Sequence, residues 1–442
     1  MFNRTSRFII GAALLAALPV VAQASTSRLE GMSLPGDYTK DYTAIYGWPS
    51  SIVGVGNLVY GELGNQLYVP ATRQPRTYER SMGAVLPNLW DGRYGIWALH
   101  LHETTPGLGQ GDVIAGNNPG QSGHDPNENN NEAFDLMWGK KFGNTNFGLR
   151  LNRSFEKGEV SVPGVTTDFE FDGNAALNQG TPDLARNILG IGGGLGFAMS
   201  DKTTAEVSVL YQTRTFENVA SANNKFQDNG GSTYLLQGRL MWKWQPNVLV
   251  VPVVKVYNYD LGTKQTNGAN VTTYDNSLKG WSAGLAGNWA LGSNDLFVLG
   301  GTFAQNTLDQ QNDVFGLRSG VLSGAFTSDT LKAKETASPN VFMALETQVN
   351  SWLTLRFGAN KGVFHTYKVE GRSGVAGKTI TLKDSPFSMN LGAGVKVGSL
   401  QFDAVLDNFF YNNPAAQFLG NNNSNFFNNE YVFQKVSATY TW

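Results

Sequence analysis

Gly280-Trp-Ser-Ala-Gly284 has the G-x-S-x-G spacing of a serine hydrolase. That chemistry needs the serine on a sharp strand-to-helix elbow, with a histidine and a carboxylate in reach. Here the motif lies inside an alternating run, Trp281 on one face and Ser282 on the other, so chance in a Gly-rich chain is the simpler account. The chain holds four histidines: His100, His102, His124 and His365. His100 and His102 share a strand face and could bind a metal, yet no third ligand is marked. Gly123-His-Asp-Pro-Asn-Glu-Asn-Asn-Asn-Glu132 is rich in oxygen donors but lacks the spacing of a defined calcium loop. No cysteine is present, which excludes thiolate metal sites and a disulfide framework. No catalytic residue, metal or cofactor is assigned, and the chain is not read as an enzyme.

The other candidate chemistry is a set of charges at alternate positions of apolar runs. Arg150, Glu206, Arg214, Arg239, Lys243, Arg356, Lys396, Asp403, Asp407 and Lys435 fall in such runs, most of them between apolar neighbours such as Leu149 and Leu151 or Leu355 and Phe357. Period two then puts the charges on one face and residues such as Val207, Val209, Leu236, Leu240 and Leu355 on the other. Strands with one wet and one greasy face suit a membrane-spanning β-barrel, lipid outside and polar lumen within. Asp403 and Asp407 are expected beside Lys396 and Lys435. One run breaks the rule: Val248 to Val256 is apolar on both faces. If Lys255 points inward, so do Leu249, Val251 and Val253. They would pack on a plug or inward loop, or line a conduit for a hydrophobic ligand. Pro252 in that run predicts a bulge or distorted pairing.

The composition agrees. Of 442 residues, 52 are Gly, 12% are aromatic and only 15% are charged, against roughly a quarter charged in soluble domains. A net charge of −2 gives no general attraction to nucleic acid. Arg4 and Arg7, the apolar run Phe8 to Val21 and Ala22-Gln23-Ala24 read as a signal peptide, residues 1–24, cleaved near Ala24. Tyr431 to Trp442 alternates to the end, with Val436, Ala438, Tyr440 and Trp442 on one face. Trp442 is read as an assembly signal for barrel-assembly machinery. Short Gly/Asn/Asp/Pro/Ser turns alternate with long polar segments near 104–130, 157–185, 217–231, 262–276, 308–337, 368–385 and 412–429. That asymmetry predicts an antiparallel barrel of about sixteen strands over 52–442, or fourteen if the first two belong to a plug. Thr181 to Leu189, with Pro182 at a first helical position, predicts a short helix, and the apolar residues of 314–326 could line an outer groove.

Residues 25–51 precede the barrel. Their Asp41-Tyr-Thr-Ala-Ile-Tyr-Gly-Trp-Pro-Ser-Ser-Ile52 resembles the segment entering the barrel in the FadL/TodX-like family of outer-membrane transporters for long-chain fatty acids and other hydrophobic compounds. Asp41, Thr43, Ala44, Tyr46, Pro49, Ser50 and Ile52 fit the family's D-x-S-A-x-Y-x-N-P-A-x-L, and Trp48 stands where the family has Asn. The resemblance implies an N-terminal hatch built on Asp41, Ala44, Tyr46, Trp48, Pro49 and Ser50, and a barrel of about fourteen strands. It implies passive uptake of small hydrophobic molecules across the outer membrane of a Gram-negative bacterium. A general diffusion porin and a secretion-accessory barrel are the alternatives. The expected partners are outer-membrane lipid and a small-molecule substrate; the oligomeric state is left open.

Overall fold

The computed structural model describes residues 25–64, 79–102, 132–159, 183–221, 224–260, 262–275, 277–292, 294–310, 331–371, 379–406 and 433–442. Sixteen antiparallel strands close into one barrel. The first, Leu58–Gly64, pairs with the last, Phe433–Thr441, from Leu58↔Thr441 to Gly64↔Lys435. Closure pairs each of the sixteen described barrel strands on both sides, the only way a sheet can sit in hydrocarbon.

Each strand alternates as its sequence does. Leu99, Leu101, Val207, Val209, Leu236, Leu240 and Leu355 are exposed on the outside, while Ala98, His100, Glu206, Ser208, Gln237, Arg239 and Arg356 are buried within. Such an exterior is stable against lipid tails and not against water. The rim with the short turns carries exposed aromatics, among them Trp90, Tyr94, Trp244, Trp352 and Trp442. Amphipathic rings at one level are an interfacial girdle.

The short connections run through 143–144, 201–202, 246–247, 349–352 and 398–399, with another following Leu291 and a longer one at 87–95. Gly143, Gly292 and Gly398 take positive φ in three of them, as tight hairpin turns require. On the opposite rim, parts of 217–231, 262–276 and 368–385 are strand rather than loop. Asn224–Asp228 pairs with Thr263–Asn267, which turns into Asn270–Tyr274, and His365–Gly371 pairs with Thr379–Asp384.

Two expectations need correction, and a third is met in one of its two forms. The helix expected from Thr181 is instead the strand Asp183–Ser200, laddered to both Thr145–Glu159 and Thr203–Ser221. Two full ladders outweigh one turn of helix with a good cap. The first strand starts at Leu58 rather than near residue 52, because Pro49–Gly54 is a 3-10 turn inside the lumen. The distorted pairing expected at Pro252 is found, without a bulge at that residue. The proline pairs with Leu285 on one side, and on the other the ladder skips from Val250↔Trp242 to Val253↔Arg239 in unchanged register. Asp407, His124, the 123–131 part of the acidic loop, 314–326 and the signal peptide lie outside the described residues, as do the side chains of Arg214 and His365.

Candidate functional site

Residues 25–57 fill the lumen. The helix Thr26–Gly31 and the short 3-10 turns Gly36–Tyr38, Tyr42–Tyr46 and Pro49–Gly54 run among inward-facing side chains from strands all round the barrel. Nothing in this stretch alternates, and its Gly, Pro and Ser prevent a longer helix. An irregular backbone at membrane depth survives only if its polar groups find partners. Here the wall supplies them. Arg239 Nη1 donates to the Asp37 carbonyl at 2.9 Å and Asn288 Nδ2 to that of Tyr38 at 2.9 Å. Arg150 Nη1 donates to the Tyr46 carbonyl at 2.7 Å, Ser208 Oγ to that of Gly47 at 2.8 Å and Asn390 Nδ2 to that of Glu30 at 2.7 Å.

Side chains add a second layer. Arg28 bridges Asp41 at 3.1 Å and Glu346 at 2.7 Å; Arg356 shares Glu346 at 2.6 Å and reaches Asp403 at 2.7 Å. Lys255 Nζ meets Asp37 at 2.9 Å, and Lys435 Nζ meets Glu30 at 2.8 Å. Arg239 holds Glu206 at 2.6 Å and lies 4.5 Å over the Trp48 ring, whose Nε1 donates to Asp37 at 3.0 Å. Ser50 Oγ donates to Glu206 at 3.3 Å. Burial pushes the Asp41 carboxyl up to about 6, against the opposing pull of Arg28 and the Thr43 hydrogen bonds. Burial also acts to lower the Arg28 guanidinium, but Glu346 and Asp41 overcome it and raise it further.

Apolar packing completes the seat. Leu29, Met32, Leu34, Tyr38, Ala44 and Trp48 form one buried cluster with Val251, Val253, Ala286 and Phe342 of the wall, and Leu249 packs against it. Tyr42, Ile45, Tyr46 and Ile52 form a second with Tyr60, Val85, Ala98 and Met137. Inward glycines admit the backbone. A Cβ on Gly148 would strike the Pro49 carbonyl, and one on Gly358 would strike the Met32 backbone.

The hatch residues Asp41, Ala44, Tyr46, Trp48, Pro49 and Ser50 are thus all buried between segment and wall. Arg150, Glu206, Arg239, Arg356, Asp403 and Lys435 are buried on the inner face. Lys243 and Lys396 share the inward parity of their strands, Lys243 half-buried and Lys396 exposed. Asp403 does lie on the strand between those of Lys396 and Lys435, but neither lysine is its ion-pair partner. Asp403 takes Arg356, and Lys435 is drawn to Glu30 of the segment. Leu249, Val251 and Val253 do point inward with Lys255, and the segment covers them. Ser282 is buried in mid-strand, paired with Lys255 and Ala304 across the ladders, with no elbow. His100 Nδ1 bonds the Tyr60 hydroxyl at 3.0 Å, and His102 faces Asp135 at 3.1 Å, itself held by Arg150 at 2.6 Å. Among the described residues no group of three potential ligands could hold a metal. Trp442 stacks on Tyr440 at the short-turn rim, its carbonyl bonded by Asn57 Nδ2 at 3.3 Å.

Sequence reasoning missed Arg28, Asp37, Glu62, Asp135 and Glu346. Strand parity would have found Glu62, Asp135 and Glu346. Charges in an otherwise apolar, Gly-punctuated segment were the signal for Arg28 and Asp37.

No protein-family model matches the chain, and no curated protein matches it. Among solved structures it is similar to the TodX monoaromatic hydrocarbon channel deltaS2 mutant, at 10% identity and TM-score 0.40, over 96% of this chain and 100% of that one. A Pseudomonas aeruginosa FadL homologue gives 11% identity and 0.40, over 94% and 98%. The ferric yersiniabactin uptake receptor FyuA from Yersinia pestis gives 9% and 0.39, over 79% of this chain and 53% of that one. Likenesses this distant, spread over different kinds of transporter, carry no information on what the lumen takes.

Proposed function

We propose that this protein is an outer-membrane channel for small hydrophobic molecules, closed at rest by residues 25–57. The observation that carries the reading is the seat itself: a lumen wall that meets the segment with a buried apolar patch as well as with fixed charges. An aqueous pore has no use for Leu249, Val251, Val253 and Phe342 on its inner face. A second apolar patch lies further along two of the same strands and on their neighbours. Leu210, Leu235, Tyr257 and Leu278 form a further buried inward cluster, with Tyr259 packed on it, on the side of the barrel away from the short turns. A displaced segment would bare both apolar patches, with the inward row of Gln237, Lys255 and Ser282 between them. A hydrophobic solute can follow such patches, and hydrated sugars or ions gain nothing from them. A filled lumen also weighs against a general diffusion porin.

Deletion of residues 25–47 tests the reading. The truncated barrel should fold, conduct more in planar bilayers than the full-length protein, and lose selective uptake of an aromatic hydrocarbon or fatty acid. A folded truncation that conducts no better than full length would mean that the segment is not a gate. Hydrocarbon uptake equal to that of empty vesicles in both forms would favour the non-transporting, secretion-accessory alternative.

A further inference from the structure

We infer that the α-amino group of Ser25, freed by cleavage of the Ala24–Ser25 bond, is a structural cation of the lumen held by Glu62 and Asp403. The inference deepens the reading of residues 25–57 as a plug and rests on it. Glu62 is 3% exposed. It accepts from Thr26 N at 2.8 Å, Thr26 Oγ1 at 2.6 Å and Ser81 Oγ at 3.3 Å. It forms no ion pair with any described residue. Asp403 is 1% exposed and accepts from Ser25 Oγ at 3.1 Å. Residues 25 and 26 thus sit between two carboxylates from different strands.

The local charge does not balance. Through Ser25 and Thr26, Glu62 and Asp403 join the cluster of Arg28, Asp41, Glu346 and Arg356. Four carboxylates share two guanidinium groups. Lys435 is nearby but engages Glu30. The Tyr42 hydroxyl is buried without a hydrogen-bond partner. Its acidity is suppressed first by burial, then by Glu62, Tyr60, Asp41 and Asp403, so it sits in the same negative field. A buried carboxylate without a cation is strongly unfavourable, and the missing positive charge has an obvious source. A signal-peptidase-type endoprotease adds water across the Ala24–Ser25 bond. Ala24 leaves with a carboxylate, and the Ser25 nitrogen takes a proton and is cationic at neutral pH. Covalent geometry holds that nitrogen about 3 Å from its own Oγ and within about 4 Å of Thr26 N. The nitrogen therefore lies within about 6 Å of Asp403 Oδ2 and about 7 Å of Glu62 Oε1. An uncleaved chain has only an uncharged amide at this point. Cleavage would then do more than release a leader: it would supply the charge that seats the plug.

The test compares the folded barrel beginning at Ser25 with one that retains Ala24, which displaces the ammonium by about 3.8 Å. The readout is the pH profile of α-amine labelling by a water-soluble amine reagent, followed by intact mass; heat-modifiability confirms the barrel in each sample. The Ser25 amine should label at least tenfold more slowly at pH 7 than the Ala24 amine, with its labelling midpoint at higher pH. Glu62→Gln should remove most of that protection in the Ser25 form and change little in the Ala24 form. Equal rates and midpoints in the two forms, or an equal effect of Glu62→Gln on both, would overturn the inference. Should Glu62→Gln not fold, the comparison of the two termini decides. The plug reading fails separately: a protected Ser25 amine in a barrel whose conductance ignores the segment would leave the anchor standing and the gate refuted.

Discussion

Trp48→Ala is the sharpest perturbation of the proposed closed state. Trp48 is 1% exposed, donates to Asp37, underlies the Arg239 guanidinium and packs in the cluster with Val251 and Val253. It belongs to no ladder, so its loss acts on docking of the segment and not on closure of the sheet. Burying an indole removes roughly 150–250 Å² from contact with water, about 4–6 kcal/mol at about 25 cal/mol per Å². Measured truncations of buried aromatics centre on about 3–5 kcal/mol. The cation–π contact adds on the order of 1 kcal/mol. Asp37 keeps Lys255 as a partner, so no charge is stranded. The docking equilibrium should fall by about 3–5 kcal/mol, or about two to four orders of magnitude. Single-channel recording should show a corresponding rise in open time, with an unchanged barrel melting temperature. Trp48→Phe keeps the ring but loses the N–H bond, a change of about 1 kcal/mol, so its open time should lie between the two. If Trp48→Ala opens no more than wild type, the seat does not hold the gate. If it instead melts the barrel, the segment is part of the fold's foundation and not a movable element.

Gly148→Ala and Gly358→Ala place a Cβ against segment backbone and should each weaken docking by about 1–3 kcal/mol. Gly61→Ala, which meets nothing within 4 Å, should behave as wild type, and conductance of the three variants checks the ranking. Asp41 titrates near 6 when docked and near its ordinary 3.8 when free. The docked state therefore carries its ionised form at a disadvantage that is full above pH 6 and relieved as the pH falls towards 4. Open probability should fall over that window by up to about tenfold per pH unit, and Asp41→Asn should flatten the profile. Deleting Trp442 should lower the yield of heat-modifiable, folded barrel in cells, because the stacked pair with Tyr440 at the closing strand would be the part read by the assembly machinery. Wild-type yield in the deletion would remove that role.

The barrel was legible in the sequence because a strand between lipid and lumen must alternate. Val207-Ser208-Val209 and Leu236-Gln237-Gly238-Arg239-Leu240 state their faces residue by residue, and period two transmits that to every neighbour in the ladder. The number of strands followed from the turns. The interior was legible only as a list of charges. Which charge meets which depends on the stagger of distant strands and on a segment with no period to read. Asp403 chooses Arg356 from 47 positions away, and Arg28 finds Glu346 across 318. Local signals also lost where they competed with the sheet. The cap and proline at Thr181-Pro182 favour one helical turn, but two ladders offer the residues after them many more hydrogen bonds. The segment was the reverse case: no ladder claims residues 25–57, so their Gly, Pro and aromatic residues took the shape of the cavity. Alternation is a local property and can be read along the chain; complementarity between a lumen and its filling exists only once the barrel has closed.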